Sequence, residues 1–497
     1  MIRRRTITSY VWNSVSGNKM VILSNCIRNF FRKFELLGNS VQGENPTPDN
    51  PQEIKSAGRK SKNLLNLQKQ PDVKETYLGW KVSDGRNVVL SVKDKGNNAD
   101  ITGCYLGLSR TGGSSDGVVW AVNNGSVAAK EVVSKNQYVS VFPPNETTVR
   151  KLLERFDIQV EYGNNATDYE PYGYLIDLKI TGENLLSNKP TDWMIGKTTS
   201  WGAVPQTPVS YGKNVKNAIA TINVKSSTNY SFINKETNKL WVCRIIELDA
   251  NGLGLVNHAL YANESFNYKK YNFSTRSNTA NIVFEIKKVD NTELLSTDIE
   301  SIKIMLVEGD IDESTPYEPY TEQTVQIALD EPLRGIGDYK DVLTKDGVVR
   351  RIKRIVFDGS EDEKWGIGIE RENVIDFVST QFSDATKINE HQRSMMDKLK
   401  WSSGVWGRDE IGQDMFARIL RINMPKTLAP DLQTFKTWLS QNPLIVDYVL
   451  AEPVTEPLPE SVQAQLAALH SENGTTHVLV DSGEVECGIN IEYKYKS

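Results

Sequence analysis

Histidine and cysteine are scarce in this 497-residue chain, at four each, and both scarcities narrow its chemistry. Cys26, Cys104, Cys243 and Cys487 lie far apart, with no CxxC pair and no short-spaced set that would make a zinc site or a disulfide scaffold. Structural thiols are expected. His258, His391, His470 and His477 form no HExxH motif and no close pair on one helical face, and no GxxxxGK phosphate loop occurs. Metal and nucleotide chemistry lack a signal, so no cofactor is expected. Long apolar runs are missing too, since nothing approaches the roughly 18 consecutive apolar residues of a membrane span. The opening segment is interrupted by Ser14, Ser16, Gly17, Asn18 and Lys19 before Val21, which is too broken for a signal sequence. A soluble chain without membrane insertion is expected.

Net charge is small, with 58 Lys+Arg against 63 Asp+Glu for −5, which argues against a dedicated nucleic-acid binder. The distribution is uneven. Residues 1–70 hold 12 basic and 4 acidic side chains, a net of +8, and leave −13 for residues 71–497. A basic head on an acidic body reads either as a solvated arm or as a segment that docks on a complementary neighbour in an assembly. Met20 is a second candidate for the initiating residue. Hydrophobic residues make up 39%, below the usual roughly 45–50%. Even so, 10 Trp, 19 Tyr and 14 Phe supply anchors for several modest domains.

An internal repeat is the most informative feature. Phe156-Asp157-Ile158-Gln159-Val160-Glu161-Tyr162-Gly163 leads to Tyr169-Glu170-Pro171-Tyr172, and Ile302-Lys303-Ile304-Met305-Leu306-Val307-Glu308-Gly309 leads to Tyr317-Glu318-Pro319-Tyr320. The openings match as well, Lys62-Asn63-Leu64-Leu65-Asn66 against Glu183-Asn184-Leu185-Leu186-Ser187. Between them, residues 87–92, 117–122, 138–142, 218–224, 241–248 and 280–286 are short runs rich in Val, Ile and aromatics, separated by Gly, Asn, Asp and Ser. That texture predicts strands, with Asp249-Ala250-Asn251-Gly252 as a hairpin turn. The fold expected is mainly β, with tandem jelly-roll-like β-sandwich modules followed by a C-terminal β-rich α+β domain. Its domains are 1–62, a basic segment with a Pro-rich linker (Pro46, Pro48, Pro51); 63–175 and 176–322, two sandwiches; and 323–497. In the last of these, helices are expected over 431–441 and 459–470.

Catalytic patterns fail on inspection. Gly113-Ser114-Ser115-Asp116-Gly117 matches a serine-hydrolase elbow, but a strand follows where that elbow needs a helix, so a turn is the better reading. Glu361-Asp362-Glu363 lacks the alternating spacing of a calcium loop and reads as a solvated turn. Arg350, Arg351, Lys353 and Arg354 interleave with Val348, Ile352 and Ile355, which is the pattern of a strand with one charged face. Aromatics are more suggestive, because sugar rings stack their C–H faces on Trp or Tyr while nearby polar groups bind hydroxyls. The second module offers Trp193, Trp201, Tyr211, Tyr230, Trp241 and Tyr261, and the first offers Trp80, Tyr105 and Trp120. Most must be core. Trp201, between Ser200 and Gly202, is the first choice for a ligand-facing ring, followed by Trp241, Tyr230 and Trp120.

Several segments in order resemble minor structural, tail-fibre-like proteins of phages and prophages of Gram-positive bacteria. They begin with Leu37-Gly38-Asn39-Ser40-Val41-Gln42-Gly43, then Pro46-Thr47-Pro48-Asp49-Asn50-Pro51-Gln52-Glu53-Ile54-Lys55, the Asn-Leu-Leu openings and the Tyr-Glu-Pro-Tyr closings. Further on come Pro332-Leu333-Arg334-Gly335-Ile336-Gly337, Phe435-Lys436-Thr437-Trp438-Leu439 and Tyr448-Val449-Leu450-Ala451-Glu452-Pro453. The resemblance covers about residue 35 to the end. It implies a virion component at the tail tip or baseplate, assembled in the host bacterial cytoplasm, with sandwich modules that look like carbohydrate-binding modules. Its implied partners are other tail or baseplate proteins and a host cell-wall polysaccharide or teichoic acid. A homotrimer is expected by analogy with fibres, although no heptad pattern marks one. No catalytic residue comes with the resemblance, so a non-enzymatic receptor-binding role is expected, with a tail adaptor lacking glycan binding and a polysaccharide depolymerase as alternatives.

Overall fold

In both repeated modules apolar residues alternate along short strands, and the alternation sends every second side chain into the gap between two sheets. The computed structural model describes residues 2–8, 18–67, 71–73, 77–111, 117–195, 216–235, 241–260, 269–385, 394–399, 412–416 and 418–496. In the first module a three-stranded sheet, ordered Glu131–Ser134, Val88–Asp94, Phe156–Tyr162, packs on a sheet ordered Ser126–Val127, Val119–Asn123, Tyr105–Ser109, Tyr138–Phe142, Leu78–Lys81, Asp72–Val73. In the second, Lys270–Ser274, Asn229–Asn234 and Ile304–Glu308 pack on a sheet ordered Trp193–Ile195, Asn217–Asn223, Asn281–Lys288, Trp241–Leu248, Gly254–Leu260.

The chain takes the same path through both. Leu78–Lys81 corresponds to Asn217–Asn223, Val88–Asp94 to Asn229–Asn234, and Tyr105–Ser109 to Trp241–Leu248. Val119–Asn123 then matches Gly254–Leu260, Glu131–Ser134 matches Lys270–Ser274, and Tyr138–Phe142 matches Asn281–Lys288. A helix follows in each, Glu146–Arg155 or Ser296–Glu300, before the closing strand. These are jelly-roll-like sandwiches, with cores such as Leu90, Leu106, Val139 and Phe156 in the first and Phe232, Ile245, Phe284 and Leu306 in the second.

The repeated motif closes each sandwich through one buried asparagine. Asn63 Nδ2 donates to Ile158 O at 3.2 Å and Glu170 O at 3.1 Å, and its Oδ1 accepts from Leu65 N at 3.0 Å and Val160 N at 3.1 Å. Asn184 repeats this with Ile304 O at 3.3 Å, Glu318 O at 3.1 Å, Leu186 N at 3.0 Å and Leu306 N at 3.1 Å. Only an amide supplies two donors and an acceptor with two lone pairs at one point. The Asn-Leu-Leu opening is thereby tied to the last strand and to the Tyr-Glu-Pro-Tyr segment at once.

By contacts the chain forms two compact units, one of residues 1–57, 177–325 and 333–497, the other of 58–176 with 326–332. In the first unit the two ends of the chain share a sheet. Gly474–Asp481, Asn18–Cys26, Gly488–Lys496, Lys33–Leu37, Val342–Leu343, Gly347–Phe357, Leu444–Pro457 and Ser394–Met396 run side by side in that order. The leading segment, expected to be an arm and a linker, thus contributes strands paired with the chain's end. Val21, Leu23, Phe34 and Leu36 are buried there. The C-terminal helices form at Leu432–Gln441 and Glu460–Ala468. Asp431 caps the first, accepting from Thr434 N at 2.7 Å, and its Phe435 stacks on Phe377 at 4.1 Å. No helix among the described residues is long and apolar enough to cross a membrane.

Candidate functional site

The outward face of the first module's larger sheet follows from the same alternation. With Leu106, Leu108, Val139 and Val141 turned into the core, their neighbours must face out. One row across four strands reads Trp120, Gly107, Ser140, Gly79. Beside it lie Tyr105 opposite Phe142 on one side, and Ser109, Tyr138 and Lys81 on the other. Small residues make the floor and aromatic ones the walls.

Contacts hold these rings in place. Tyr105 meets Trp120 edge-on at 5.5 Å between centroids and Phe142 at 5.3 Å, geometries that aromatic quadrupoles favour. Ser109 and Ser140 share a hydrogen bond of 2.7 Å. Gly107 sits under the indole, where an added Cβ would lie 2.5 Å from Val119 O and 2.9 Å from the Trp120 ring. A glycine is needed there for the ring to lie down on the sheet. Trp120, Tyr105, Phe142 and Tyr138 are all partly exposed; Tyr105 fixes Trp120 and Phe142 on one side of the row, Tyr138 lies on the other, and the Ser109 and Ser140 hydroxyls between them are buried. Such partly exposed rings suit the C–H face of a sugar.

The other ring candidates go elsewhere. Tyr230 and Trp241 occupy inward positions of their strands and are buried in the second module's core, at 1% and 5% exposure. Tyr230 stacks on Phe273 at 5.9 Å, and its hydroxyl accepts from Lys225 N at 2.8 Å. Neither ring offers a face to a ligand. Trp193, whose Nε1 donates to Ser187 O at 2.8 Å, and Trp80 are core residues too. Trp201, Tyr211 and Tyr261 lie outside the described residues, as does most of the 113–117 turn. Of the four favoured rings, the described structure leaves only Trp120 on a surface. Its neighbours Tyr105, Phe142 and Tyr138 complete the face, and strand parity relative to Val139 and Val141 is the signal that finds the last two.

Charged segments of the C-terminal region are structural. Glu363, expected in a solvated turn, is 3% exposed; its carboxylate accepts from Asp358 N, from Gly359 N at 3.0 Å and from Trp365 Nε1 at 2.7 Å. Arg354 makes a two-pronged pair with Asp447 at 2.7 and 2.8 Å and donates to Ile54 O at 3.2 Å. Arg350 pairs with Asp341 at 3.2 Å and Glu456 at 2.8 Å. The basic run is thus spent largely on internal ion pairs. All four cysteines are free and buried, and burial pushes Cys26 and Cys487 up to about 11. Among the described residues no group of three or more His, Cys, Asp and Glu is arranged to hold a metal.

No family model and no curated protein matches the chain. Among solved structures, the chain is compared with the T13 particle of infectious bursal disease virus, at 8% identity over 99% of this chain and 77% of that one, with a TM-score of 0.12. The VP2 subviral particle of the same virus gives 8% identity, 99% and 79% coverage, and a TM-score of 0.12. Likeness at that level carries no inference about fold or function.

Proposed function

We propose that the chain is a structural component of a phage tail or baseplate, and that it binds a host cell-surface glycan through the aromatic face of its first sandwich. The observation that carries the glycan reading is the partly exposed cluster of Trp120, Tyr105 and Phe142 beside a Gly-Ser row, with Tyr138 across it. The ordered motifs from Leu37 to Pro453 support the virion reading. The role is binding rather than turnover. Single lectin-type faces are weak, and several copies on one particle raise avidity by about 10² to 10⁴, which fits a homotrimer that scans a wall reversibly.

A second reading, a tail adaptor that binds no glycan, is favoured by the shared sheet of the chain ends, which makes a rigid body for assembly. One experiment separates them. Full-length wild type and Trp120→Ala are incubated with Gram-positive cell walls and the unbound fraction is measured. The glycan reading expects wild type to bind and the variant to lose about tenfold or more in affinity, at least 1.4 kcal/mol of stacking, with unchanged thermal melting. No binding by either favours the adaptor, and equal binding by both removes the Trp120 face as the wall-binding site.

A further inference from the structure

A pocket in the unit that holds the chain ends has no part in the reading above. Its volume is about 260 Å³, and it is assembled from stretches remote in sequence, around Met20, Lys179, Leu185, Thr221, Tyr320 and His477. Met20, Leu185, Ile222 and Leu479 give it an apolar floor, and Thr181, Ser187, Asp192 and Asn223 bring hydroxyl, carboxylate and amide groups to its wall. An apolar cavity with a few convergent polar groups, where a module meets another element, is the usual form of a small-ligand site.

The lining residues Lys179 and Tyr320 are held by Glu322, a residue outside the lining. Glu322 accepts from Lys179 at 2.7 Å, from Lys189 at 3.1 Å and from the Tyr320 hydroxyl. Burial alone would raise its pKa, but the hydrogen bonds from Lys179, Tyr320 and Lys189 outweigh that and hold it at about 2. The two ammonium groups stand 5.8 and 5.7 Å from the Tyr320 ring centroid. Asp192 accepts from Ser187 Oγ. His477 is 4% exposed; its Nδ1 lies 3.1 Å from Gly182 O, while its Nε2 has no hydrogen-bond partner among the described residues, Glu308 standing 3.8 Å away. His477 thus lines the pocket with its Nε2 3.8 Å from the Glu308 carboxylate, which is outside the lining, and Thr181, Ser187, Asp192 and Asn223 remain the polar side chains of the wall.

Charge decides the ligand class. Lys179 and Lys189 are balanced by Glu322 and Asp192, so the pocket has no surplus cation to hold a phosphate or a carboxylate. Its donors and acceptors are mixed, and its volume limits the occupant to one small ring. We infer that the pocket binds a single uncharged, hydroxyl-rich ring of the pyranose type, at a site separate from the Trp120 face. Charge and volume set a small uncharged ring, and the choice of a sugar among such rings rests on the proposed glycan reading.

The test uses the full chain and three probes, the methyl glycosides of glucose, galactose and N-acetylglucosamine, with saturation-transfer NMR. Asn223→Trp places an indole at the pocket mouth from an exposed strand position, and Thr221→Trp does the same if the first variant fails to fold. The expected result is transfer to at least one glycoside in wild type and in Trp120→Ala, with at least a tenfold loss when Asn223→Trp is added to Trp120→Ala. In the Trp120→Ala background, transfer that survives both pocket substitutions overturns the inference, as does no transfer to any probe in wild type. A signal lost in Trp120→Ala but kept in the pocket variants overturns it while leaving the sandwich-face reading intact. Pocket binding without any binding to walls leaves the inference standing and removes the other.

Discussion

Replacing Asn184 by alanine removes four hydrogen bonds from a side chain that is 1% exposed. At about 1 kcal/mol net for each bond, the loss is about 4 kcal/mol. The backbone amides of Leu186 and Leu306 lose their shared acceptor, and the carbonyls of Ile304 and Glu318 lose their shared donor. Asn184→Asp sharpens the test, because it keeps an acceptor for the two amides but turns a second oxygen toward the two carbonyls, and it should be at least as damaging. Since the chain forms two compact units, two-state unfolding is not assumed and a local readout takes the place of a single unfolding free energy. The assay is hydrogen exchange of the amides in Asn229–Asn234 and Ile304–Glu308. About 4 kcal/mol corresponds to roughly a thousandfold loss of protection there, with the first module's strands unchanged. A loss below about tenfold in both variants would refute the assignment of Asn184 as the closing residue.

Other substitutions probe the remaining elements. Asn63→Ala should reproduce the effect in the first module and spare the second, read by the same exchange measurement. Gly107→Ala, whose Cβ would lie 2.9 Å from the Trp120 ring, should lift the indole from the sheet, change its fluorescence, and cost about 1–3 kcal/mol of overpacking. Asp447→Ala leaves the Arg354 guanidinium without its two-pronged partner and should destabilise the unit of the chain ends by about 3–5 kcal/mol, seen in its thermal transition. Glu322 has a depressed pKa, so its stabilising contribution is fully present above the ordinary carboxylate value of 4.5 and is lost as pH falls toward about 2. Acid titration of wild type should show that loss, and Glu322→Gln should flatten it.

What could be read from the sequence was local. The runs at 138–142 and 241–248 are strands with those bounds, and Asp249 supports the expected turn by accepting from Asn251 N and Leu253 N at 2.9 Å each. Period-two alternation and turn residues act within a few positions, so they leave a visible trace. The repeat was equally visible, but the reason for it was not, because the partners of Asn63 lie about 100 residues away. The pairing of Asn18–Cys26 with Gly474–Asp481 leaves no local trace at all, and a basic composition suggested an arm instead. Two of the four favoured rings, Tyr230 and Trp241, are buried for a related reason. Trp241 and Trp120 both lie in β-rich runs, and only the register of neighbouring strands sets one inward and the other outward.

The central claim is that the chain recognises a wall glycan. The most direct test is a pull-down of the purified, size-characterised protein on intact Gram-positive host walls and on the same walls stripped chemically of polysaccharide. The account predicts binding to the intact walls that disappears on stripping. Binding that survives the stripping, or no binding in either arm, would contradict it.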